Sequence, residues 1–133
     1  MRIIRNTIIT KIHLIISVMV VIPVAFIYGF NPSSQFDIYL GTIDEQNFFK
    51  AIMGLYLGFS VLWLIGILKK SYLKLALVTN LIFMFSLAIG RLLSILIDGV
   101  PIQAYVFGTV GEFVLGFYGL WVLITQHQSS TNT

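Results

Sequence analysis

The chain has 133 residues, 58% of them hydrophobic and 10% charged, with mean hydropathy +0.97 and a formal net charge of +3. Soluble domains carry about 25% charged residues, so this chain lacks the polar surface to face water. It contains no cysteine, which excludes a disulfide framework, a cysteine-based metal site and a thiol nucleophile.

In chain order, residues 1–125 read as one integral membrane domain of four spans. Arg2, Arg5 and Lys11 precede an apolar run over 12–30. That run is long enough to cross the hydrocarbon core, which takes about 20 residues. A signal peptide is the competing reading, but the run exceeds an h-region of about 7–15 residues and no A-x-A site follows. Pro23 is expected to kink this helix. Residues 31–50 form the longest polar stretch and open on the turn residues Asn31-Pro32-Ser33-Ser34. Two readings fit the rest of that stretch: a segment lying at the membrane surface, or a loop draped over the bundle. The second span is expected over 51–68, with Gly54-x-x-x-Gly58 as a small-residue face for helix packing. A basic loop holds Lys69, Lys70 and Lys74, and the third span follows over 75–97. Asp98-Gly99-Val100-Pro101 marks a turn. The fourth span covers 102–124, and 126–133 reads as a disordered polar tail.

Lys and Arg gather at one end of the spans, with only Lys50 near the other. The positive-inside rule then places both termini in the cytoplasm, as four spans require. The expected fold is an all-α four-helix transmembrane bundle.

Arg91 and Glu112 are the two charges well inside the apolar runs. They flank the turn almost symmetrically, so an antiparallel hairpin brings both to roughly 15 Å below it, at about 1.5 Å per residue. A lone charge at a helix centre costs about 2.5–3.5 kcal/mol, and pairing offsets it. On the third span, Asn80, Arg91, Ser94 and Asp98 fall near one face. On the fourth, Tyr105, Thr109, Glu112, Gly116 and Gly119 share one. Gly108 and Gly116 leave space one turn either side of Glu112. Three uses of the pair stay open: a structural ion pair, a ligand site, or part of a proton path. Asp98 either caps Arg91 or starts the turn, and the turn is favoured. His13 is expected near the lipid headgroups and His127 in solvent, with no metal site. Tyr28, Trp63, Tyr72, Tyr105, Tyr118 and Trp121 read as an interfacial aromatic belt. No phosphate loop, catalytic triad or nucleic-acid signature is present, and no cofactor is implied.

The segment Asn47 to Tyr56, then Gly90-Arg91-Leu92-Leu93-Ser94, Asp98-Gly99-x-Pro101, and Glu112 with Gly116, resembles a family of small bacterial four-helix membrane proteins. That family is known as domain of unknown function 4345. The likeness runs from about Phe48 to the end of the fourth span. The segment before the second span often carries Arg where this chain has Lys50, which keeps the charge and loses bidentate pairing. The resemblance implies the fold and a multi-pass place in a bacterial inner membrane, and carries no activity.

Three functions follow as expectations. The first is binding of a lipid or apolar small molecule at Arg91 and Glu112, with Ser94, Asp98, Asn80 and Thr109 around them. The second is a structural or accessory subunit, as a homo-oligomer or with a membrane partner, packed through Gly54, Gly58, Gly108 and Gly116. The third is an isomerase-like membrane enzyme with Glu112 as acid and base. One carboxylate without a nucleophile supports proton transfer at most.

Overall fold

The computed structural model describes the backbone of residues 2–131 and the side chains of 4–126. The expectation for His127 lies outside the described side chains. Four helices account for the fold: α1 (Arg2–Phe30), α2 (Ile43–Leu68), α3 (Leu73–Asp98) and α4 (Gln103–Thr131). All four are long and apolar enough to cross a membrane. Helices are the economical choice there, because each satisfies its own backbone N–H and C=O groups away from water.

Consecutive helices pack against one another, α4 closes back on α1, and α1 also touches α3 across the bundle. The inward face of α1 repeats every three or four residues through Thr10, His13, Leu14, Ser17, Val21, Ala25 and Tyr28. Leu14, Val21, Ala25 and Tyr28 share one core cluster with Trp63 of α2 and Ala76 and Met84 of α3. Pro23 lies inside α1, which runs on through it.

The second helix starts eight residues earlier than its expected span. Thr42 caps it: its hydroxyl accepts from Glu45 N at 3.2 Å, and Glu45 Oε2 accepts from Thr42 N at 2.9 Å. This reciprocal capping box satisfies N–H groups that a helix start leaves free. Residues 43–50 are therefore the first turns of α2. Before them, a 3₁₀ turn at Pro32–Ser34 leads into a short irregular strand of chain. Phe36 and Ile38 of that segment pack onto the core, so the draped-loop reading holds for 35–40.

Gly66 lets the α2–α3 turn close tightly. A Cβ there would run into Ala76 Cβ and sit 3.2 Å from Tyr72 O. The α3–α4 turn is where the sequence placed it. α3 ends at Asp98, and Gly99 takes φ 105°, a conformation that suits glycine. At the far end, α4 runs on to Thr131. The Gln126 amide donates to the Thr10 hydroxyl and holds this end of α4 against α1.

The antiparallel register of α3 and α4 is continuous. Arg91 meets Glu112, and Phe85 meets Gly116 and Phe117. Leu81 shares a small cluster with Val122.

Candidate functional site: a buried ion pair in a tyrosine cage

The hairpin joins the two charges. Arg91 Nε lies 3.0 Å from Glu112 Oε1, with both side chains mostly buried. Arg91 is held on two further sides. Its Nη2 donates to the Tyr28 hydroxyl at 3.0 Å, and its Cζ stands 5.1 Å from the centre of the Tyr105 ring. A guanidinium over an aromatic face is attracted by the ring's negative face.

Aromatic side chains wall this centre towards the Gly99 turn. Phe36 stacks between Tyr28, at 4.9 Å, and Tyr105, at 4.7 Å. Tyr56 meets Tyr28 edge-on at 5.7 Å and Phe83 at 5.0 Å. The irregular segment before α2 thus supplies the plug over the ion pair.

Beside the pair is a cavity of about 360 Å³. This is within the range of about 300–1,000 Å³ for small-molecule sites. Its back wall carries Tyr56, Met84, Arg91 and Glu112, and its sides are Val20 and Val24 of α1 with Gly108 and Gly111 of α4. Its rim includes Ile16, Phe107 and Val114, all exposed. The cavity therefore opens sideways between α1 and α4 at mid-helix. In a spanning bundle that direction is towards lipid.

Two polar atoms at the back wall are left over. Among the described residues, Glu112 Oε2 is buried without a hydrogen-bond partner. The Arg91 Nε–H, although close to Oε1, is not aligned for a hydrogen bond and has no other acceptor. Buried polar groups are nearly always satisfied, so two orphans at one cavity wall carry information.

The remaining expected site residues divide. Thr109 is buried one turn from Glu112, but its hydroxyl is spent on its own helix, donating to Tyr105 O at 2.8 Å. Ser94 and Asp98 are exposed and bond to each other at 2.8 Å, apart from Arg91. Asp98 starts the turn and does not cap Arg91. Distance along the axis carries Ser94 and Asp98 out past the cage.

Asn80 belongs to a second polar centre. Its Oδ1 lies 2.9 Å from His13 Nε2, and both residues are fully buried. Because an amide oxygen only accepts, this contact requires the proton on Nε2. The ring of Tyr118 meets His13 edge-on at 5.0 Å. His13 therefore sits in the protein interior, not among headgroups, where it would lack this partner.

The glycines also divide. Gly116 packs against Phe85, and a Cβ there would lie 3.0 Å from its ring. Gly119, not singled out for packing, is closest to His13, with Nε2 2.8 Å from a built Cβ. Gly54, Gly58 and Gly108 have nothing within 4 Å of such a Cβ. Within this chain they are not packing contacts; Gly108 borders the cavity instead.

The aromatic belt needs the same correction. Of its residues, Tyr28 and Trp63 are buried in the core, while Tyr72 and Trp121 are exposed. The sequence reading put Tyr105 on the face of Glu112 and missed Tyr28, Tyr56 and Phe36 as parts of the site. A signal did exist for α1: Thr10, His13 and Ser17, at spacings of three and four, mark its inward face, and Tyr28 continues it.

Comparison with known proteins adds the family alone. No curated protein and no solved structure matches this chain. Residues 9–123 match the family model described as Domain of unknown function (DUF4345). The helices, their turns and that match lead to one conclusion: the chain is a four-helix, multi-pass membrane protein that belongs to the DUF4345 family.

Proposed function

We propose that this protein binds a lipid or another amphipathic small molecule in the cavity between α1 and α4, with the Arg91–Glu112 pair at its polar end. The observation that supports this is Glu112 Oε2, a buried carboxylate oxygen without a partner, at the wall of a 360 Å³ lateral cavity. A purely structural ion pair would use both oxygens, because each unsatisfied one adds a desolvation cost. The proposed setting is a bacterial inner membrane with both termini in the cytoplasm, on the strength of the Lys and Arg asymmetry.

The test is mass spectrometry of the gently purified protein beside Gly111→Leu. Gly111 lines the cavity, and a Cβ there would meet nothing within 4 Å among the described residues, so leucine is expected to take up space at the cavity wall. A defined small molecule in the wild type, lost from Gly111→Leu, is the expected result. The same bulk lipid in both samples would leave the ion pair a structural device.

A second reading, an accessory subunit, draws on Gly54-x-x-x-Gly58 of α2, where a Cβ on either glycine would meet nothing within 4 Å among the described residues. Small-residue faces permit close helix approach. Crosslinking in native membranes that recovers only monomer would remove it.

A further inference from the structure

We infer that the cavity selects an uncharged amphiphile with a hydrogen-bond-donating head, an alcohol or phenol dissolved in the membrane, over an anionic or cationic lipid. This rests on the binding reading above and names its ligand class.

The cavity's charges cancel. Among the described residues that line it, Arg91 and Glu112 are the only basic and acidic side chains, and they already face each other. A charged head entering this poorly screened space would bring a third charge with no counter-charge. An anion would have to draw Arg91 away from Glu112, Tyr28 and the Tyr105 ring together. It would then leave the carboxylate unpaired beside a second negative group. A cation would reach Oε2 only with the Arg91 guanidinium beside it on the same carboxylate.

What the wall leaves unused is one acceptor and one donor. Glu112 Oε2 has no donor, and Arg91 Nε–H has no aligned acceptor. A hydroxyl answers both, because it donates one hydrogen bond and accepts others. An ether or ester oxygen can answer Arg91 alone. The rest of the cavity is apolar, and Gly108 and Gly111 keep a side-chain-free track along α4. The rim residues Phe107 and Val114 are exposed, so the track leads out between the helices. A tail lying there remains in the lipid phase, which makes the membrane the source of the ligand.

The experiment uses the full chain in nanodiscs and a photoreactive ten-carbon primary alcohol bearing a diazirine in its tail. Unlabelled competitors are compared at equal concentrations in the bilayer. 1-Decanol is expected to compete at least tenfold better than 1-methoxydecane, decanoate or decyltrimethylammonium. 1-Butanol, with the same head and little tail, is expected to compete at least tenfold worse than 1-decanol. In Arg91→Met/Glu112→Leu, which removes both charges at once, the preference of decanol over its methyl ether is expected to fall to about one. Decanoate competing as well as decanol overturns the head assignment while the binding reading survives. Equal competition by the methyl ether shows that no donor is recognised and also overturns it. Butanol competing as well as decanol overturns the membrane source. Labelling that persists unchanged in Gly111→Leu means the cavity is not the site, and the binding reading itself fails; no specific labelling in the wild type means the orphan atoms hold water alone.

Discussion

Arg91 on α3 donates to the hydroxyl of Tyr28 on α1, 63 positions away in sequence, at 3.0 Å. That bond ties the ion pair to the first helix. Without it, the ion pair would belong to the hairpin alone. With it, α1, α3 and α4 share one polar centre, and Phe36 seals it by stacking on both Tyr28 and Tyr105.

Tyr28→Phe keeps the ring and removes the acceptor for Arg91 Nη2, together with the hydroxyl's contact with Tyr105. A hydrogen bond to a charged group contributes about 1.5–3 kcal/mol. The variant is expected to lose stability of that order in a reversible unfolding assay in mild detergent. A loss no greater than that of Tyr39→Phe, an exposed tyrosine, would show that the bond contributes nothing.

The ion pair makes a signed prediction. Arg91→Met leaves Glu112 buried and unpaired, and breaking one side of such a pair costs about 3–5 kcal/mol. Arg91→Met/Glu112→Leu removes both charges and is expected to recover most of that loss. The double-mutant cycle read by unfolding should show strong coupling, and additive losses would sink the pairing.

Gly119→Ala is expected to be harmful and Gly58→Ala harmless in the monomer. A Cβ at Gly119 would meet His13 Nε2 at 2.8 Å, while at Gly58 it meets nothing within 4 Å. Overpacking costs about 1–3 kcal/mol. The check is the unfolding midpoint of each variant, with Asn80→Leu as the reference for loss of the His13 partner. If Gly58→Ala disrupts crosslinked oligomers in membranes, the α2 face has a partner.

The capping box fixes where α2 begins. Thr42→Ala is expected to cost about 0.5–2 kcal/mol. Its effect should be local: faster amide exchange for Asp44, Glu45 and Gln46, with the rest of α2 unchanged. Equal exchange in both proteins would mean that tertiary contacts alone hold the first turn.

The sequence by itself determined the number of helices, their order and the two hairpin turns. Each of these is a local property: a run of apolar residues long enough to span, or a turn residue such as Gly99 that ends one. It also determined that Arg91 and Glu112 share a depth, because 1.5 Å per residue fixes height along a helix from counting alone. Some features were legible and unread, among them Thr42-x-x-Glu45 as a helix start and Thr10, His13 and Ser17 as an inward face.

Only the tertiary structure decided which residues meet at that depth. Rotation of α1 about its axis brings Tyr28 to Arg91 and His13 to Asn80, and no spacing within α1 specifies its partners. Packing likewise separated glycines of identical composition, pressing Gly116 on Phe85 and leaving Gly54 and Gly58 bare. The cavity is the clearest case: it exists because α1 and α4 do not fill the space beside Glu112, and a gap between helices is written in no single one of them.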